Sequence, residues 1–349
     1  MFYTRKCGEI EDSDFGSEQT LCGWLQDTRN LGGIAFLQLR DITGVIQLTL
    51  LKKKLGDDNF KKWANINRES IILVRGIVKE NKEAPGGVEM LPDNIELMNE
   101  AETPLPLGVI DKIDSEIETR LNARYLDLRK TEIVANFQIR AAVSGAVHKH
   151  LRRENFLEVQ TPKIIASATE GGTSLFEMKY FDKTAYLAQS PQLYKQILMS
   201  GGLERVYEVG PAFRAEEHNT PRHLNEFISI DIEMSFADDD VVMGVMERLV
   251  ATAARTVSKE TKALKTLGIE PIELELPLPR ITYDEAVEMA KGKAKWGEDL
   301  SMEATRAIAE QMNGFYFITK WPLSLKPFYI QPDDDPKYSK GFDFMYNEI

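Results

Sequence analysis

Residues 213–227 read FRAEEHNTPRHLNEF, with two arginines, two histidines and three glutamates in fifteen positions and a phenylalanine at each end. The runs on either side, RVYEVGPAFRAEE and FISIDIEMSF, alternate apolar and polar residues. Side chains alternate faces along a strand, so both read as β-strands, and the polar HNTPRH turn between them predicts an antiparallel hairpin over 205–216 and 227–236. In the first arm Arg214 and Glu216 would share a face. In the second, Ile228, Ile230, Ile232 and Met234 form an apolar face opposite Phe227, Ser229, Asp231, Glu233 and Ser235. A polar face in water is an ordinary feature, and its surface ion pairs contribute roughly 0–1 kcal/mol each. Phe227 does not belong on such a face. A ring beside guanidinium groups and carboxylates suits a nucleotide, because the ring stacks on a base and arginine pairs with phosphate.

Working outward, IVANFQIRAAVSGAVHKHLRR from Ile133 carries apolar residues at Val134, Phe137, Val143 and Val147, the pattern of an amphipathic helix. FLEVQTPKII (156–165) reads as a strand closed by Pro162, and a long helix is expected from Asp239 to Glu260. Residues 131–349 thus predict an α+β domain with a mainly antiparallel sheet. TPLPLGVI (103–110) holds two prolines and, with the charged stretch after it, makes 103–130 a linker or hinge. Before it, TLCGWLQDT, IAFLQLRD, GVIQLTLL, SIILVRGIVKE and VEMLPDNIELMNE read as five strands with one helical stretch near the middle. Residues 1–102 therefore predict an all-β OB-fold barrel, a fold that often binds oligonucleotides.

With 349 residues, 43% of them hydrophobic and 28% charged, the chain fits a globular protein of two domains. A net charge of −12 argues against non-specific coating of nucleic acid, which depends on neutralising phosphates. No apolar run reaches the roughly 18 residues that a membrane span needs. The N-terminal MFYTRKCGEIEDSDF has no apolar signal core, and Cys7 and Cys22 give no disulfide framework, so a reducing cytoplasm is expected.

The hairpin closely resembles motif 2 of the class II aminoacyl-tRNA synthetases, and FLEVQTPKII resembles their dimer-forming motif 1. TEGGTSLF (169–176) and QSPQLYKQ (189–196) narrow the resemblance to the aspartate, asparagine and lysine subgroup. Together these segments most resemble the archaeal-type aspartyl enzymes, from about Gly23 to the last residue. The resemblance implies an ATP- and Mg²⁺-dependent ligase that makes aspartyl-adenylate and transfers aspartate to tRNA(Asp). It implies that Arg214 contacts the ATP α-phosphate and the amino-acid carboxylate, and is the catalytic residue. Glu216 would read the adenine region, Arg222 and His223 the terminal phosphates, and Phe227 would stack under adenine, with Leu224 also in the ATP site. Glu170 and Asp231 would hold the aspartate ammonium, with Gln192 alongside, and Lys195 would pair with the side-chain carboxylate. Asp343, in GFDF, would ligate the metal. A homodimer through 131–165 is expected.

GWLQDTRNLGGIAFLQLRD resembles the family's anticodon-binding barrel. By that resemblance Phe36 stacks on an anticodon base, and Arg29 and Gln47 bond base edges; the alternative for Phe36 is plain barrel core. Pro85 and Gln26 resemble the relaxed members, which charge tRNA(Asn) as well. The family's motif 3 and its second metal carboxylate would lie beyond Ile349, so the chain reads as C-terminally incomplete and, as given, inactive. Two other readings stand beside this one. The first is a non-catalytic tRNA-binding protein on a decayed synthetase. The second is the asparagine enzyme, which Lys195 speaks against because charge is what separates aspartate from asparagine.

Overall fold

The computed structural model describes residues 2–110, 115–167, 175–216 and 224–349. The chain divides into two compact units, Met1–Phe137 and Gln138–Ile349.

In the first unit, β1 (Glu18–Asn30), β2 (Ile34–Arg40), β3 (Val45–Leu51), β4 (Ile71–Glu80) and β5 (Val88–Asn99) close into a barrel in the order β1-β2-β3-β5-β4. Helices α1 (Lys52–Leu55) and α2 (Asp57–Ala64) connect β3 to β4, completing the expected OB-fold. Alternation sets its core: Leu21 and Leu25, Ala35, Leu37 and Leu39, Ile46, Leu48 and Leu50 point inward and are buried. Phe60 and Trp63 of α2 pack against the same core. Gly23 is required where β1 crosses β2, since a Cβ there would sit 2.3 Å from the Arg40 carbonyl oxygen. Two residues further on the β1–β2 ladder slips: Leu25 faces Leu39 but Asp27 faces Gln38, leaving Gln26 as the extra residue of a β-bulge.

Residues 103–130 are held against this barrel. Helices α3 (Ile117–Asn122) and α4 (Arg124–Asp127) form a small core of Leu107, Ala123 and Leu126. Burial pushes the Asp127 carboxyl up, but ion pairs with Arg120 and Arg124 outweigh that and hold it below the usual carboxylate range. Arg129 bonds Glu69 at 2.8 Å, and its guanidinium lies 5.1 Å from the Trp24 ring centre.

Helix α5 (Thr131–Arg153) leads into the second unit, where Val143, Val147 and Leu151 pack with Phe156, Tyr207 and Val245. The expected stripe fails at Phe137, which is 49% exposed, because the apolar seam of α5 is confined to its C-terminal half. The expected strand 156–165 is also split into β6 (Leu157–Glu158) and β7 (Ile164–Ile165) on either side of Pro162. These join different sheets, which bends the chain between them: β6 runs parallel to a later strand, whereas β7 pairs antiparallel with its neighbour. There follow β8 (Glu177–Tyr180), β9 (Lys183–Leu187), α6 (Gln192–Ser200), β10 (Arg205–Phe213), β11 (Glu226–Met234), α7 (Asp239–Val257) and α8 (Thr261–Leu267). One sheet has the order β7-β9-β8 and another β11-β10-β6. The remainder, β12 (Arg280–Thr282), α9 (Tyr283–Met289), α10 (Met302–Met312), β13 (Phe315–Thr319) and β14 (Asp343–Tyr346), surrounds a core of Tyr283, Ile308, Tyr316 and Ile318.

The hairpin is antiparallel as expected, with Phe213 opposite Glu226, Ala212 opposite Phe227 and Glu208 opposite Asp231. Its first arm is shorter than expected. β10 ends at Phe213, so Arg214 and Glu216 do not share a strand face. The Arg214 amide still bonds the Asn225 carbonyl, but the Glu216 amide turns back onto Arg214's own carbonyl and breaks the pleat.

Candidate functional sites

Two clusters of polar residues stand out, one in each unit. In the second unit β11 supplies the floor. Ile232 and Met234 face the α5–α7 side and join the core, which leaves Phe227, Ser229, Asp231 and Glu233 on the other face. Helix α6 crosses that face and delivers Lys195, whose side chain is 5% exposed. The Lys195 ammonium lies 3.2 Å from Asp231 Oδ1, 3.6 Å from Glu233 Oε2 and 3.3 Å from the Ile232 carbonyl oxygen. Gln192, one turn earlier on α6, donates its amide to Glu233 at 3.4 Å. A buried ammonium costs several kcal/mol of desolvation unless charged and polar partners surround it. Here two carboxylates and a carbonyl do so. Opposite Asp231 on β10, buried Glu208 accepts hydrogen bonds from the Thr161 amide and hydroxyl and pairs with Lys163 at 2.8 Å, anchoring the chain around Pro162 to β10.

At the tip of the same hairpin the Arg214 guanidinium lies 5.4 Å from the Phe227 ring centre. Arg214 Nε is buried and finds no hydrogen-bond partner among the described residues. A buried, unpaired guanidinium nitrogen is costly and marks a place for an anionic or carbonyl group. Leu224 is 64% exposed. A cavity of about 470 Å³ lies beside β11, lined among others by Gln192, Glu233, Lys326 and Asp343. Asp343, at the start of β14, pairs with Lys326 at 3.0 Å. Among the described residues no three His, Cys, Asp or Glu side chains converge as a metal cage. One carboxylate suits a Mg²⁺ that arrives with a nucleotide, because Mg²⁺ takes most of its oxygens from phosphates and water.

Gln192, Lys195 and Asp231 are thus brought together, Arg214 meets Phe227, and Asp343 shares Gln192's cavity. Glu170, Arg222 and His223 lie outside the described residues. Glu233 was missed as a site residue, although its place two residues after Asp231 on the polar face was the signal. Lys326 was also missed, and nothing local to PLSLKPFY points to it.

On the barrel, a second cavity of about 450 Å³ is lined by Asp27, Thr28, Arg29, Phe36, Gln38, Gln47, Asn81, Glu83 and Pro85. All four expected residues, Arg29, Phe36, Gln47 and Pro85, line it. Phe36 is only half-buried and lies outside the barrel core, on the outer face opposite Arg29 and Thr49. Gln47 faces Gln38 on β2 and Glu89 on β5. Buried Glu89 accepts from Gln47 at 3.3 Å, Thr49 at 2.6 Å and Asn81 at 2.9 Å, and pairs with Lys79 at 2.8 Å. Burial pushes the Glu89 carboxyl up, but these hydrogen bonds, with Lys79 foremost, hold it below the usual range and keep it ionised. Glu89 was missed because its role depends on the parallel β3–β5 pairing, which sequence alternation does not specify.

A barrel with an aromatic and amide-lined pocket, joined to a hairpin that gathers ammonium, guanidinium and carboxylates, is the architecture of a class II tRNA synthetase. The family model described as tRNA synthetases class II (D, K and N) matches residues 116–349, and that for the OB-fold nucleic acid binding domain matches 19–98. The chain belongs to this D, K and N family. It is 52% identical over 338 residues to an aspartate–tRNA(Asp/Asn) ligase of Archaeoglobus fulgidus, covering 95% of this chain and 78% of that ligase. It is 46% identical to an aspartate–tRNA(Asp) ligase of Thermoplasma acidophilum, covering 97% and 81%. Its fold matches the crystal structure of asparaginyl-tRNA synthetase from Pyrococcus horikoshii complexed with asparaginyl-adenylate, with a TM-score of 0.94, 32% identity and coverage of 100% and 81%.

Proposed function

We infer that this chain activates L-aspartate with ATP and transfers the aspartyl group to tRNA(Asp), and to tRNA(Asn) as well. The observation that carries this reading is the Lys195 ammonium, buried on the Asp231–Glu233 floor with Gln192 beside it. Aspartate and asparagine have nearly the same shape, so a pocket separates them by charge. A buried ammonium attracts the charged carboxylate and gains less from the neutral amide. Asp231 supplies the acceptor for the substrate's own ammonium.

Activation is an in-line attack of the aspartate carboxylate on the α-phosphorus of ATP. Two anions must approach, so the work of the chain is to position them and offset their charge. Arg214, whose Nε has no partner among the described residues, is the residue we assign to the α-phosphate and the substrate carboxylate. Phe227 offers its ring to the adenine. Glu216, Leu224, Arg222 and His223 are assigned to the remainder of the nucleotide, and Glu170 to the amino acid. Asp343 would help to hold a Mg²⁺, which would supply positive charge to offset that of the phosphates. A second copy would join through 131–165, where Phe137, Leu157 and Ile164 are exposed at 49%, 53% and 48%.

The deciding experiment is ATP–pyrophosphate exchange with aspartate or asparagine, followed by charging of transcripts carrying each anticodon. Exchange with aspartate alone and charging of both tRNAs is expected. Exchange with asparagine in place of aspartate would favour the asparagine enzyme, and aspartylation of tRNA(Asp) alone would limit the reading to the strict enzyme.

A further inference from the structure

The barrel pocket contains a polar side chain that has had no role so far, Gln38. Gln38 lines the cavity beside Phe36 and directly opposite Gln47. Its amide can point either its oxygen or its nitrogen into the pocket, and the surroundings decide which. Arg40 is 4% exposed and clamped by both oxygens of buried Glu69, at 3.0 and 2.8 Å. Its other terminal nitrogen reaches Gln26 Oε1 at 3.5 Å. A guanidinium only donates, so the Gln26 oxygen must face Arg40. The Gln26 nitrogen then faces away and donates to Gln38 Oε1 at 3.2 Å. With its oxygen so engaged, Gln38 has its amide nitrogen left to offer the pocket that it lines. The bulge at Gln26 makes this geometry possible, by moving that side chain out of the regular ladder and next to Gln38.

Gln47 is set the other way. A carboxylate only accepts, so Glu89 takes the Gln47 amide nitrogen and leaves Gln47 Oε1 for the pocket. One amide therefore offers a donor and its cross-strand neighbour an acceptor.

We propose that Gln38 is a specificity-determining residue whose donor orientation is imposed by Arg40 through Gln26, so that with Gln47 the pocket selects a keto base. Such a base, uracil or guanine, presents a carbonyl oxygen beside a ring N–H. An amino base, cytosine or adenine, presents the reverse pattern and meets donor with donor. This deepens the anticodon reading above and rests on it.

The test measures binding of the full chain to RNA stem-loops carrying the GUC anticodon and single replacements U→C, G→A and C→U. Four proteins are compared: wild type, Gln26→Glu, Gln26→Leu and Phe36→Ala. Wild type should lose on the order of tenfold or more in affinity when the base read here changes from keto to amino. Gln26→Glu keeps a partner for Arg40 but now presents an acceptor to Gln38. The Gln38 amide must flip, its oxygen enters the pocket, and the preference should reverse toward the amino base. Gln26→Leu frees the amide and should level the preference. A purely structural role for Gln26 would not produce a reversal. If Phe36→Ala weakens every loop while Gln26→Glu keeps the wild-type preference, the proposal is overturned and the anticodon reading survives. If wild type shows no preference at any position and Phe36→Ala binds as well as wild type, the anticodon reading falls and the proposal with it.

Discussion

The two pockets place their buried charges differently. On the hairpin floor the charges themselves face the site: the Lys195 ammonium lies 3.2 Å from Asp231 and 3.6 Å from Glu233. On the barrel two charges, Arg40 and Glu89, are buried behind amides that line the site, and Asp27, Arg29 and Glu83 also stand on its wall. Arg40 and Glu89 are each 4% exposed, while Gln38 and Gln47 line the cavity. A small charged substrate is best separated from its amide by a charge. A base carries no net charge and is separated from other bases by the order of its donors and acceptors.

This contrast can be broken experimentally. The largest effect is expected from Lys195→Met, which removes the ammonium but keeps the stem. Aspartate-dependent ATP–pyrophosphate exchange should fall on the order of a thousandfold, with ATP binding little changed. A loss below tenfold would show that the floor does not work by charge. Arg214→Lys should follow, at about a hundredfold in the exchange rate, because a lysine cannot reproduce the planar fork over Phe227. Phe36→Ala should weaken stem-loop binding about tenfold, the order of one lost base stack, and leave tRNA-independent exchange unchanged. An equal loss of exchange would mean that the pockets are not separate devices.

The smallest effect concerns acid. Glu89 has its folded-state pKa lowered, so its contribution to stability is full above the ordinary glutamate value of about 4.3 and is lost as pH falls through the lower folded value. The stability difference between wild type and Glu89→Gln, read from urea unfolding, should be constant from pH 7 to about 5 and shrink below about 4.3. A difference that grew on acidification would reverse the sign.

Much of this was legible beforehand, for reasons that can be named. Leu37 and Leu39 alternate with Phe36 and Gln38, so the period of two already set Phe36 on the outer face with Gln38, and the cavity decided between core and site. The register Glu208 opposite Asp231 follows from the hairpin, and with it the polar floor. The strand end at Phe213 was not legible, because Arg214 and Glu216 continue the alternation by letter while the Glu216 amide bonds back to Arg214. Phe137 kept the helical spacing but stays 49% exposed.

The sequence by itself determined what is periodic or chemically peculiar: the barrel's alternating strands, the hairpin, and the cations and carboxylates gathered in FRAEEHNTPRHLNEF and QSPQLYKQ. Only the tertiary structure decided which buried charge sits behind which amide, and that Lys195 meets Glu233 as well as Asp231. The reason is that a side chain's face follows from its own strand. Its partners come from other strands, through a bulge at Gln26 and a parallel pairing of β3 with β5 that no local pattern encodes.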